Sequence, residues 1–370
     1  MKHRDRVLMS LNHEEPDRCP MQVSFTPEFA SRLRQKVNIA PGSHHNPHGG
    51  GNTYELERAL DEDMLLTSVG WANSYYANDA YGPGKDNYKD EWGIAWRNCS
   101  YETRFGRGFY TEIVGNPLSD DSAIAAYRAP DPDRADLYAE SEWVVRTFKD
   151  EYWIVGVTVT TIFETAWALR GYERILMDFV TDPDLADAIM DIPFRYHLRA
   201  AERLVRMGVD MIWIGDDVGT QHTMLMAPET WRRFLKPRMA EFISTIKAIN
   251  PAVKVAYHSD GCIYPIIAEL IEVGVDILNP VQPKSMDPVL LKKEYGRKLC
   301  FWGSIDEQQT LPFGGVEDVR NEAILRLKTL GRDGGLIIGP THHVQLDTPV
   351  ENIQALLDTV AGTPYRSLRP

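Results

Sequence analysis

Short apolar runs alternate along this chain with longer segments of helical periodicity. The runs open near residues 20, 63, 152, 210, 254, 276, 299 and 335. They are continuous rather than alternating, as expected of strands buried on both faces. Between most of them, residues 184–207, 228–249, 265–273, 287–295, 316–331 and 348–360 carry apolar positions at helical spacing. Eight such units predict an α/β fold, a TIM-like (β/α)8 barrel forming a single domain over residues 1–370. A doubly wound sheet is disfavoured because no GxGxxG follows any run.

The pattern breaks after the second run. Residues 71–150 are dense in aromatics, including Trp71, Tyr75, Tyr76, Tyr81, Trp92, Trp96 and Tyr110. Residues 91–113 alternate, with Gly106 and Gly108 inside, which predicts a twisted antiparallel hairpin. This reads as an insertion that lids a site. A second irregular stretch, residues 41–52, holds His44, His45 and His48. Clustered histidines can bind metal, but no rigid element holds these, and a mobile surface loop is expected.

Composition narrows the partners. A net charge of −13 argues against a nucleic-acid or anionic-membrane surface. No run is long enough for a signal peptide core or a membrane span. Cys19, Cys99, Cys262 and Cys300 are far apart with no CxxC, which points to a reducing, cytoplasmic setting. The implied partner is a small-molecule substrate, and a homodimer is compatible with the sequence.

In a barrel, residues ending the strands face one mouth, where active sites lie. The candidates are Asp63 near the second strand, Asp216, Asp217, His258, Asp260, Cys262, Gln282, Asp306, His342 and His343. Each has a plain alternative: Asp216, Asp217, Asp260 and Asp306 can cap the following helices, and His343 can be a surface residue. At a strand end, His258 and Asp260 share a face. His258, Asp260 and His342 form the best ligand set for a divalent ion, with zinc as default and iron or manganese as alternatives. Asp217, Asp63, His343 and Asp306 are then the catalytic candidates, and Gln282 the cofactor contact. A metal-free site would instead use His258 or His342 as general acid, with Asp217 or Asp63 as charge anchor. Cys262 is a fourth ligand or, preferably, a buried thiol.

Several stretches together resemble the uroporphyrinogen decarboxylase superfamily: Ile214-Gly215-Asp216-Asp217, Tyr257-His258-Ser259-Asp260-Gly261, Asp276-Ile277-Leu278-Asn279-Pro280-Val281-Gln282, Trp302-Gly303-Ser304-Ile305-Asp306 and Asp347-Thr348-Pro349-Val350-Glu351-Asn352. The resemblance covers nearly the whole chain and implies a distorted eight-stranded α/β barrel. The superfamily includes the decarboxylase, zinc methyltransferases that pass methyl groups from corrinoid proteins to thiols such as coenzyme M, and corrinoid-linked O-demethylases. The decarboxylase's arginine-bearing N-terminal stretch is absent here, where Met21-Gln22-Val23-Ser24-Phe25 stands in its place, although Asp63 falls where the decarboxylase has its pyrrole-binding aspartate. The thiol methyltransferases bind zinc through His-x-Cys and a later Cys. His258, Asp260 and His342 occupy the corresponding positions, which implies a harder ion. Such an ion would polarise an ether oxygen better than it would hold a nucleophilic thiolate. The resemblance thus implies a metal-dependent methyltransferase acting on a methoxylated compound with a corrinoid protein as partner. A metal-free uroporphyrinogen-type decarboxylase and a non-catalytic binding barrel are the alternatives.

Overall fold

Burial on both faces turns the apolar runs into parallel strands. β1 (Met64–Ser68) is followed in the chain by β2 (Asn87–Lys89), β3 (Ala95–Thr103) and β4 (Gly106–Gly115), which form a separate sheet. The main sheet resumes with β5 (Trp153–Val157), β6 (Met211–Gly215), β7 (Lys254–His258), β8 (Ile277–Asn279), β9 (Cys300–Ile305) and β10 (Leu336–Pro340). These elements belong to a computed structural model that describes residues 1–40, 45–69 and 87–368. The seven main strands pair in parallel in the order β1-β5-β6-β7-β8-β9-β10, and helices fill the connections. The sheet curls into a TIM-like barrel.

The period-two alternation of each strand sorts its side chains into two cores. Met64, Leu66, Trp153, Val155, Met211, Trp213, Ala256, Ile277, Trp302 and Ile337 pack together inside the barrel. Their neighbours Leu65, Ile154, Ile212, Ile214, Val255, Tyr257, Leu278, Phe301 and Ile338 pack outward against the helices. The same parity puts His258 on the interior face of Ala256, and Asn279 on that of Ile277.

The predicted first strand departs from expectation. Residues 20–25 enter the seam between β10 and β1, but Met21 and Phe25 make only isolated bridges, to Ile338 and Val344. The Asp63 N–H donates to the Met21 carbonyl at 3.0 Å, and the Ile338 N–H to that of Pro20 at 2.9 Å. Pro20 has no N–H to give. The N–H groups of Met21 and Val23 donate to the side chains of Asp63 and Glu62 rather than to β1 backbone. Toward β10 the segment bonds through backbone groups, whereas toward β1 side chains take over part of the ladder.

β2, β3 and β4 form a separate antiparallel sheet, and Trp92 and Ile94, between β2 and β3, pack with Trp96 of β3 against Leu169 and Tyr196 from the helices. Trp71, Tyr75, Tyr76 and Tyr81 lie outside the described residues. All four cysteines are free, and no helix among the described residues is long and apolar enough to cross a membrane.

Candidate functional site

A cavity of about 600 Å³ opens at the carboxyl ends of the strands. Trp96, Trp167, Trp213 and Trp302 form much of its wall, and Glu164, Asp217, His258, Asn279, His342 and His343 contribute polar groups. Among the described residues lining it there is no Lys or Arg. Thr111, Glu112 and Ile113 of β4 complete one side.

Asp217, His258 and Asp260 converge: one ligand atom from each lies within 4.8 Å of the others. No other group of three His, Cys, Asp or Glu does so among the described residues. His258 Nε2 is 3.6 Å from Asp217 Oδ1, and the Asp260 N–H donates to that oxygen at 2.7 Å. Two donors each about 2.0–2.2 Å from a tetrahedral ion sit roughly 3.3–3.6 Å apart, so the pair is spaced to share one. Asp260 Oδ1 is buried without a hydrogen-bond partner, which is costly for a carboxylate unless a cation or proton meets it. Burial pushes the Asp260 pKa up, against the pull of His342 and His258. One imidazole and two carboxylates suit a borderline or hard divalent ion.

The sequence candidates are distributed differently from expectation. Asp217 joins His258 and Asp260 in the converged group, while His342 lies exposed on the same cavity and outside that group. The Gln282 oxygen accepts the Gly261 N–H at 2.6 Å, bracing the turn that carries Asp260. Cys262 packs, half-buried, against the outer core. His343 is buried, and burial together with the neighbouring His342 and His48 pushes its pKa well below the usual imidazole value. It is therefore a neutral ring at neutral pH.

Two candidates are corrected. Asp63 immediately precedes β1 and so lies at the opposite end of the barrel. There its carboxylate meets Arg6 at 2.5 Å, Arg18 at 2.6 Å and His3 at 2.9 Å. Asp306 follows β9 at the correct end, but its carboxylate accepts the N–H groups of Gln308 and Gln309, at 2.8 and 3.2 Å, and it is absent from the cavity wall. It caps a turn because the chain there leaves N–H groups without backbone partners. Asp216 does the same for the helix Phe163–Arg170, accepting the N–H groups of Ile162 and Glu164.

Other site residues escaped the sequence reading. Glu164, deep in the cavity wall, donates nothing to the pattern of strand ends because it sits on a helix. Burial and the nearby Asp217 and Asp216 push its pKa well up, favouring the protonated acid. The histidine loop is not a free surface loop: His45 and Asn46 are buried. The Tyr54 hydroxyl ties this region to the Leu66 carbonyl at 2.6 Å. A Cβ on Gly49, whose φ is +93°, would lie 1.7 Å from the Leu66 oxygen. This close approach, open to glycine alone, seats His48 in the cavity wall against Trp213 and His343, with ring centroids 6.0 and 4.9 Å apart. His44 lies outside the described residues.

Comparison with known proteins places this geometry. The family model for uroporphyrinogen decarboxylase (URO-D) matches residues 103–363. Two proteins of Methanosarcina barkeri, the second from strain Fusaro, are each named methylcobamide:CoM methyltransferase MtaA. They are 29% and 27% identical to this chain over 175 residues, 47% of this chain and 48% of each relative. The chain thus spans about half the length of these curated relatives. A solved structure described as a methyltransferase from Methanosarcina mazei matches with a TM-score of 0.67 at 19% identity, over 98% of this chain and 99% of that one, and shows the same fold.

Proposed function

This chain belongs to the uroporphyrinogen decarboxylase family, and we propose that within it the chain is a metal-dependent methyltransferase, moving a methyl group between a small methoxylated compound and a corrinoid protein. The observation that carries this reading is the convergence of Asp217, His258 and Asp260 on one locus, with a buried carboxylate oxygen left unpartnered. These three residues would hold a divalent ion, zinc by default. Such an ion supplies Lewis-acid polarisation of an oxygen.

The remaining roles belong to the chain itself. The tryptophan walls exclude water and offer flat apolar surface to a ring. The insertion strand β4 serves as part of a lid. Glu164, whose burial in the cavity wall favours its acid form, would serve as the proton donor to the departing oxygen. In that step the C–O bond would break with the oxygen keeping the bonding pair and taking the proton, and the methyl group would pass to the partner's reduced corrinoid, which would supply the electron pair for the new bond. Free thiols fit a cytoplasmic setting.

Decarboxylation of a porphyrinogen fits less well. Its eight carboxylates need cations, whereas Gln22 and Ser24 bring neutral groups to the cavity from the segment where the decarboxylase has arginines. Burying an unpaired carboxylate costs several kcal/mol even after relaxation. The test is to incubate zinc-loaded protein with a reduced corrinoid protein and a methyl ether, and to follow methylcobalt formation by absorbance. Conversion of uroporphyrinogen to coproporphyrinogen on the order of 1 s⁻¹, an ordinary enzymatic rate, with no methyl transfer, would overturn this reading.

A further inference from the structure

We infer that Asn279 is a positioning residue that locks His258 into the Nδ1–H tautomer and so presents a bare Nε2 to the locus shared with Asp217 and Asp260. The tautomer stands on geometry alone; its consequence for metal binding rests on the metal-dependent reading above.

The chain of bonds begins in the ladder between β8 and β9. Ile277 pairs with Cys300 and Leu278 with Phe301, and the Cys300 N–H donates to the Asp276 carbonyl at 2.9 Å. Continuing this alternation, the Trp302 carbonyl would accept from the backbone nitrogen of residue 280. That residue is Pro280, which has no N–H. The Asn279 side chain takes over the rung, its Nδ2 donating to the Trp302 oxygen at 3.2 Å. A carbonyl can only accept, so this bond decides which end of the carboxamide is nitrogen. The other end, Oδ1, must then face His258 Nδ1, 2.7 Å away. Oδ1 can only accept in turn, so Nδ1 carries the hydrogen.

Asn279 is buried and makes both bonds at once, so its orientation has no competing choice. In the neutral ring, the bare Nε2 then lies 3.6 Å from Asp217 Oδ1. A bare nitrogen and a carboxylate oxygen at that distance repel each other unless a cation lies between them. Metal-ligating histidines commonly have their second nitrogen fixed in this way, and loss of the outer partner typically weakens metal binding by about 10–100-fold.

The experiment uses the full chain without metal or corrinoid. Long-range ¹H–¹⁵N spectra of the neutral His258 ring should show a protonated Nδ1 and an unprotonated Nε2. Asn279→Leu should release the ring to the Nε2–H form and weaken Zn²⁺ binding about 10–100-fold in a chelator competition. Asn279→Asp, which keeps an acceptor facing Nδ1, should retain the wild-type tautomer and bind Zn²⁺ within a few-fold of wild type. A variant that only loosened the fold would lower Tm without changing the tautomer. An Nε2–H ring in the wild-type spectrum overturns the inference even if Asn279→Leu does not fold, and so does undiminished zinc affinity in a folded Asn279→Leu. Failure of wild type to bind zinc while showing the Nδ1–H ring would instead remove the metal-dependent function and leave the positioning role intact.

Discussion

The two ends of the barrel treat the same side chain in opposite ways. At the amino ends of the strands, Asp63, Asp210 and Asp276 precede β1, β6 and β8. Each accepts an N–H from an adjacent segment: Met21 at 2.8 Å, Ile154 at 3.0 Å and Val255 at 2.8 Å. Each also has a cation from the chain, namely Arg6 and Arg18, Arg4, and Lys247. At the carboxyl ends, Glu164, Asp217 and Asp260 gather with no Lys or Arg among the described residues of the cavity wall, and one buried oxygen has no partner. These three acids of the first end find their partners within the chain. Those of the second have no such cation from the chain among the described residues of the cavity wall.

The largest expected effect lies at the first end. Arg18→Leu strips a partner from the buried Asp63 and should cost about 3–5 kcal/mol of stability, the usual result of breaking a buried pair, while leaving zinc affinity unchanged in the folded fraction. Urea unfolding and a zinc titration measure the two; a loss below about 1 kcal/mol would break the contrast.

Asp260→Asn should do the reverse. Zinc affinity should fall by more than the 10–100-fold typical of an outer partner, and the metal-free protein should be no less stable than wild type. Full zinc occupancy in this variant would remove Asp260 from the ligands.

Buried acids also set the response to pH. Asp216 is pushed up to about 7 by burial, and Glu62 and Glu164 shift the same way. The folded, metal-free protein therefore holds more protons than the unfolded chain between about pH 4 and 7. Stability should fall as pH rises through that window, by up to about 1.4 kcal/mol per pH unit for each such group. Asp17, held down to about 2 by its hydrogen bond to Arg6, acts oppositely, stabilising above about pH 4 and losing its effect as pH drops toward 2. Denaturation of metal-free protein across pH 4–7 should thus show a decline, and a rising curve would contradict the assignment. The smallest effect belongs to Asp306→Ala, which should cost about 1 kcal/mol as a lost cap and leave zinc binding as it was.

The contrast also explains what could be read from sequence. Apolar runs announced the strands, and the acids and histidines following β6, β7 and β10 announced the mouth. Asp63 was misplaced because an acid before a run and an acid after it look alike in composition; only direction along the strand separates them. Asp306 failed for another reason, since capping and ligation place the same residue at the same position. Glu164 and His48 reach the cavity from a helix and an aperiodic loop, where no spacing rule points. Asn279 did leave a trace: a polar residue closing an apolar run before a proline. Its use depended on a neighbouring strand that the sequence alone could not align.

The bridged seam between β10 and β1 has a consequence for breathing. β6 and β7 share five paired residues, whereas residues 20–25 hold the seam through two isolated bridges, a few backbone bonds and a few side-chain bonds. Sparse pairing means low free energy of local opening. Amide exchange at Gln22 and Ile338 should therefore outpace exchange in β6 and β7. Gln22 and Ser24 on one side of this seam and His343 on the other are wall residues of the cavity. Faster exchange there would mark this edge as the part of the wall that loosens first.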